Sequence, residues 1–92
     1  MFPSLHGYTI YSKENCVYCV KVKELLQNET VTVFSCDDEL DEDRDGFLLH
    51  MDSITGRTHR TFPFVFHDGR FIGGYDDTEL YYQSHVSFTT DF

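Results

Sequence analysis

Cys16 and Cys19 are the residues in this chain best placed for covalent chemistry. The stretch Cys16-Val17-Tyr18-Cys19 follows a short apolar run, Tyr8-Thr9-Ile10-Tyr11, and leads at once into an apolar-periodic segment, Val20 to Leu26. If that segment is a helix, Cys16 sits in its first turn. Free backbone N–H groups and the positive end of the dipole favour an anion there. Cysteine attacks as thiolate; a free thiol titrates near ~8.5, and C-x-x-C thiols fall well below that. Cys19 lies one turn later on the same face, able to close a small disulfide with Cys16 or to resolve a mixed one. A pair of this kind beside a strand–helix pattern, in a chain that looks cytosolic, reads first as a redox dithiol. The competing reading is half of a zinc site. It needs two more ligands, and Cys36 plus one of His6, His50, His59, His67 or His85 is the only supply, without ligand spacing. Cys36 reads as a structural free thiol, with a regulatory or dimerising disulfide as the lesser alternative.

The rest of the chain must position that pair. A length of 92 residues predicts one domain, 1–92, with a modest core over about 8–84 and a frayed tail over 85–92. No run is long enough to span a bilayer and no charged-then-apolar leader begins the chain, so neither a membrane partner nor secretion is expected. Three cysteines, an odd number, do not make a secreted disulfide framework, and a reducing, cytoplasmic setting is the expectation. Most of the net charge of -9 comes from Asp37 to Asp45, where seven acids accompany one base, Arg44. That balance disfavours nucleic acid as a partner. The acidic run reads as a solvated loop and helix entry, ahead of a docking patch for a basic partner.

Tyr8 to Tyr11 predicts a strand, Ser12 to Asn15 a polar turn with Asn15 as N-cap, and Cys16 to Gln27 a helix burying Cys19, Val22, Leu25 and Leu26. Thr30 to Ser35 predicts a second strand, parallel to the first. A second helix is expected from about Asp41 to Ile54, with Phe47, Leu48, Met51 and Ile54 inward, weakened by Gly46 and ended by Gly56. Phe64-Val65-Phe66 and Arg70-Phe71-Ile72 flank His67-Asp68-Gly69, a strong hairpin signal. Asp76 with Glu79 forms a capping-box pattern opening a third helix through Leu80 and Tyr82.

The order β-α-β-α-β-β-α, with C-x-x-C opening the first helix, resembles the thioredoxin-like fold, an α/β fold with a mixed four-stranded sheet flanked by helices. Within it the chain resembles the glutaredoxins. The motifs are Tyr11-Ser12-Lys13, Cys16-Val17-Tyr18-Cys19, Thr61-Phe62-Pro63 and Gly73-Gly74-Tyr75-Asp76-Asp77, together covering about residues 8 to 82. The Cys-Val-Tyr-Cys form and the ending resemble the small dithiol glutaredoxins of large tailed bacteriophages, which carry electrons to ribonucleotide reductase. The chain has no Trp, and a true thioredoxin has one beside its first active cysteine.

The resemblance implies a thiol-disulfide oxidoreductase with no tightly bound cofactor, acting as a monomer, with glutathione as co-substrate. Its partners would be disulfide-containing proteins such as ribonucleotide reductase, with thioredoxin reductase as another possible source of electrons. The setting would be the cytoplasm, a host's if the chain is viral. Cys16 attacks and Cys19 resolves. Glutathione is extended, with two carboxylates and a free amine. Lys13 and Arg60 would pair with carboxylates, and Tyr18 would pack beside the bound sulfur. Phe62, before a cis Pro63, would offer its backbone to the extended peptide. Gly74, Asp76 and Asp77 would receive the γ-glutamyl end. Three departures stand out, one of them an end of the chain that departs from a regular final helix. Val17 replaces the usual motif proline, so the potential could move either way from the family range of about -200 to -230 mV. The connection from Thr55 to Thr61 is longer than usual. The alternative implied function is a [2Fe–2S] cluster held between two subunits with bound glutathione. A third is a module that only docks to a partner.

Overall fold

The two runs expected to pair in parallel do so. The structure, a computed structural model, describes residues 1–86. In it β1 (Tyr8–Ser12) and β2 (Val31–Ser35) are parallel, with Ile10 opposite Val33. The link between them is α1 (Val17–Leu25), since parallel neighbours need a crossover. β3 (Phe64–His67) runs antiparallel to β1, and β4 (Arg70–Gly73) antiparallel to β3, giving the sheet order β2-β1-β3-β4. Asp68 and Gly69 both take positive φ, 50° and 84°, as a tight hairpin between twisted strands needs.

Alternation along the two central strands divides the core. Tyr8, Ile10 and Val65 face α1 and α3 (Tyr75–Val86), where they meet Val22 and Leu26. Tyr11, Phe64 and Phe66 point the other way, toward Phe47 and Met51 of α2 (Asp37–Thr55). β1 is buried along its whole length because helices cover both of its faces. Fully buried side chains such as Ile10, Leu26 and Met51 each contribute about 1.5–3 kcal/mol relative to exposure.

Three element boundaries differ from the sequence reading, each for a local reason. Cys16, not Asn15, is the N-cap of α1: it holds extended backbone, while Asn15 sits at φ 53°. α2 begins at Asp37, so the acidic run is largely helix rather than loop. Three acids in the first turn complement the dipole there. The helix breaks at Asp43 (φ -155°, ψ 82°) and restarts, with Asp43 Oδ1 accepting the Gly46 N–H at 3.0 Å. A Cβ at Gly46 would overlap that carboxylate, so the glycine belongs to the restart. α3 begins at Tyr75. The Gly74 carbonyl accepts the Thr78 N–H (3.0 Å) and the Thr78 hydroxyl (2.7 Å), while Glu79 accepts from the Tyr75 hydroxyl instead of closing a capping box. Of the expected tail, residues 85 and 86 continue α3, and 87–92 lie outside the described residues.

Candidate active site

Cys16 and Cys19 are joined as a disulfide with their Cα atoms 5.2 Å apart. Their surroundings differ. Cys19 is 1% exposed, packed among the buried residues of α1, whereas Cys16 is half-buried at the helix entry. Cys16 Sγ accepts the Cys19 N–H at 3.2 Å. That is the capping position for α1, and a negative sulfur is favoured there over a neutral one. An incoming disulfide can therefore reach Cys16 but not Cys19, and Cys19 is held where it can only attack the sulfur of Cys16.

The loop before the dithiol is braced from β2 and α2. The Cys36 N–H donates to the Ser12 carbonyl at 2.8 Å. Asp37 accepts from the Glu14 N–H (3.0 Å) and the Ser35 hydroxyl (2.8 Å), and these hydrogen bonds, the Glu14 one foremost, hold its carboxyl below the usual range. Cys36 itself is buried, with Sγ 3.7 Å from the Phe34 carbonyl. Burial, with Glu39 adding to it, pushes its thiol up to about 12, so it stays protonated and unreactive at neutral pH.

On one side of Cys16 stands the Phe62–Pro63 bond, which is cis. The Phe62 carbonyl oxygen lies 3.8 Å from Cys16 Sγ. Its ring stacks on Phe47 at 6.2 Å and meets Phe64 edge-on, so the backbone beside the sulfur is fixed from below. Past Phe62 opens a cleft of about 300 Å³ walled by Tyr18, Gly74, Asp76 and Asp77, with His59, Thr61 and Tyr75 completing it. Tyr18 leans on Tyr75 (5.6 Å), and Lys21 Nζ sits over both rings, at 5.3 and 5.9 Å. Asp76 and Asp77 occupy the first turn of α3, where backbone N–H groups are free to meet an anion and the carboxylates to meet an amine.

The structure thus sets Tyr18, Phe62, Gly74, Asp76 and Asp77 around the cleft, with Pro63 following Phe62 through the cis bond, and it sets Cys16 and Cys19 in an adjoining hollow that meets the cleft at the Phe62 carbonyl. It leaves two expected residues elsewhere. Lys13 lies outside the cleft, in the hollow lined by Cys16 and Cys19, with its Nζ 5.9 Å over the Phe62 ring. Arg60 is committed to Asp52, Nη1 to Oδ1 2.6 Å and Nη2 to Oδ2 3.0 Å. That bond holds the Asp52 carboxyl below its ordinary range and raises the guanidinium. In its place His59 faces the cleft, its ring edge-on to Phe64 and Phe71. Thr61 and Tyr75 were inside recognised motifs and could have been found. His59 lies in the lengthened connection, where the sequence carries no positional signal.

A family model described as Glutaredoxin matches residues 8–72. Glutaredoxin-C4 of Arabidopsis thaliana is 39% identical over 83 residues, 88% of this chain and 58% of that protein. This chain thus spans under two-thirds of the length of such a relative. Among solved structures, Glutaredoxin 1 from Francisella tularensis superposes with a TM-score of 0.74 over 87% of this chain and 95% of its own; at 24% identity this speaks to the fold alone. A buckwheat glutaredoxin–glutathione complex matches with a TM-score of 0.64 and 29% identity, over 85% of this chain and 69% of that one. Sheet order, helix placement and these likenesses agree on a thioredoxin-like fold, and the chain belongs to the glutaredoxin family.

Proposed function

We propose that this chain is a glutathione-linked dithiol oxidoreductase that reduces glutathione mixed disulfides and protein disulfides. The observation that carries the reading is the asymmetry of the pair: Cys16 is open beside the Phe62 carbonyl and the cleft, and Cys19 is buried behind it. In the first step the Cys16 thiolate attacks the glutathione sulfur of a mixed disulfide. The S–S bond breaks, the substrate sulfur leaves as thiolate and takes a proton, and Cys16 carries the glutathionyl group. A second glutathione thiolate then attacks that sulfur, releasing oxidised glutathione and restoring Cys16. With a protein disulfide, the Cys19 thiolate attacks the Cys16 sulfur of the mixed disulfide instead, expelling the substrate thiolate and leaving Cys16–Cys19. Two glutathione molecules supply the two electrons that reopen it.

The cleft suits the proposed ligand. Tyr18 would cover the sulfur and Phe62 would pair with the extended backbone. The turn at Gly74, with Asp76, Asp77 and the free N–H groups, matches an α-amino acid end that is both ammonium and carboxylate. His59 and Thr61 line the cleft and would meet the remaining carboxylate, and Lys13 would reach it from the neighbouring hollow of the dithiol. Arg60 would have to leave Asp52 to join them. Within this reading the chain acts as a monomeric domain in a reducing cytoplasm and serves an enzyme of the ribonucleotide-reductase kind. A kinship with phage glutaredoxins within this reading rests on the Cys16-Val17-Tyr18-Cys19 form, the short length and the Gly73-Gly74-Tyr75-Asp76 ending alone. The test is a reduction assay on a small glutathione mixed disulfide, run beside a thioredoxin-reductase-dependent insulin assay. Turnover that depends on glutathione is the expected result, and turnover with thioredoxin reductase alone overturns the glutathione link. Val17 in place of proline favours the cluster-binding alternative, which a visible absorption band in freshly purified anaerobic protein would support.

A further inference from the structure

The break in α2 leaves a hollow that the dithiol chemistry does not use. The six residues before the break present Glu39 and Glu42, and Asp43 stands at the break itself. After the restart the helix presents Phe47 and His50, and Met1 closes the far wall. The space is about 270 Å³, below the range of sites for drug-sized ligands, and fits a single long side chain. Its floor is apolar, with Phe47 7% exposed. His50 Nε2 and the Tyr11 hydroxyl both engage the Met1 carbonyl, at 2.9 and 3.0 Å, so the Met1 wall is anchored. Glu39 and Glu42 form no ion pair among the described residues, and Asp43 spends one oxygen on the Gly46 N–H. The segment carries seven acids against Arg44 alone.

The hollow is also close to the reacting sulfur. Phe47, its floor, is stacked on Phe62, and the Phe62 carbonyl is 3.8 Å from Cys16 Sγ. One pair of rings separates the two places.

We propose that this hollow is a docking site for a basic, long side chain of a protein substrate, seated on Phe47 and paired with Glu39 and Glu42, which selects disulfides flanked by Arg or Lys. The methylene stem of such a side chain covers the apolar floor while its charge stays at the acidic rim, an arrangement open to Arg and Lys and not to Glu or Asp. The charge on the rim matches no other occupant as well: an apolar side chain would leave the carboxylates of Glu39 and Glu42 without an ion-pair partner beside it. This rests on the dithiol reading and names a substrate class within it.

Two synthetic disulfide-linked peptides test it, identical but for Arg-Leu or Glu-Leu four residues from the cysteine, a distance of roughly 13 Å when extended. The wild-type protein should show a KM for the Arg peptide about three- to tenfold below that for the Glu peptide, the range expected of two partly exposed ion pairs. In E39Q/E42Q the two KM values should converge, with kcat unchanged. Added salt should do the same to the wild type. Turnover of a small glutathione mixed disulfide, which reaches only the cleft, should be equal in both proteins, and it separates the two levels of the argument: its absence in the wild type refutes the dithiol reading itself. Equal KM values for the two peptides in the wild type overturn the docking site, as does a difference that survives E39Q/E42Q. Inhibition that grows with protein concentration and disappears in E39Q/E42Q would give the hollow to a second copy of the chain and overturn the proposal too.

Discussion

Gly73→Ala should damage this protein more than the same change at Gly56, because two penalties coincide at Gly73. Gly73 has φ 142°, a region that costs any other residue about 1–3 kcal/mol. A Cβ there would also overlap the Cβ and carboxylate of Asp77, which forces Asp77 to turn out of its place in the first turn of α3. Overpacking of that kind adds about 1–3 kcal/mol. Gly56 is the control. It ends α2 at φ 74°, but a Cβ there meets nothing within 4 Å, so Gly56→Ala carries only the left-handed penalty of about 1–2 kcal/mol. The gain from a stiffer unfolded chain is common to both and drops out of the comparison. Net losses of about 2–4 kcal/mol for Gly73→Ala and about 1 kcal/mol for Gly56→Ala follow. At ~4–8 °C per kcal/mol, thermal melts of the oxidised proteins should differ by at least ~4 °C. Because Asp77 lines the cleft, Gly73→Ala should also raise the KM for a glutathionylated peptide several-fold with kcat near normal, and Gly56→Ala should change neither. Equal melting temperatures for the two variants, or an unaltered KM in Gly73→Ala, refutes the reasoning.

Other outcomes follow from the same geometry. Alkylation of Cys16 in the reduced protein should have a pH midpoint clearly below the ~8.5 of a free thiol, since its sulfur caps α1; faster labelling of Cys19 contradicts that. Cys36→Ala should keep near-normal turnover. Its folded pKa is raised, so the unfolded chain releases that proton first and native stability falls as pH rises from about 9 toward about 12, by at most ~1.4 kcal/mol per pH unit. Tyr8, raised to about 12, and Tyr11, raised further, steepen the fall only above pH 10, so denaturant titrations of Cys36→Ala should be flatter between pH 9 and 10. Arg60→Gln should change the KM for a glutathione mixed disulfide less than twofold, because the guanidinium is held by Asp52 outside the cleft; a tenfold rise would show that the pair opens on binding.

The sequence signals that survived folding were those set by backbone chemistry. Asp68-Gly69 could only make a tight turn, Gly56 only a helix stop, and both do. The strand–helix–strand order fixed the parallel pairing of β1 and β2. What could not be read was decided by competition between neighbours. Asn15 is a better N-cap by type than Cys16, yet the chain turns at Asn15 and gives the cap to the sulfur. The acids from Asp37 onward look like a loop by composition, but they complement the start of a helix, and only Asp43 leaves it. The acidic pattern at Asp76 and Glu79 lost to the Gly74 carbonyl, which Thr78 engages twice. His59 and the Arg60–Asp52 pair depend on the path of a connection whose length the motifs do not constrain.

In the proposed scheme the half-buried but accessible Cys16 attacks and the buried Cys19 resolves. The most direct test is to mix reduced Cys19→Ser with a protein disulfide substrate and determine by mass spectrometry which sulfur holds the partner. A stable mixed disulfide through Cys16 is expected, because a nearby intramolecular thiol releases the partner far faster than dilute glutathione does and that thiol has been removed. The same variant should keep most of its activity on a glutathione mixed disulfide, which needs one protein thiol. No trapped complex, or a partner found on Cys36, would contradict the account.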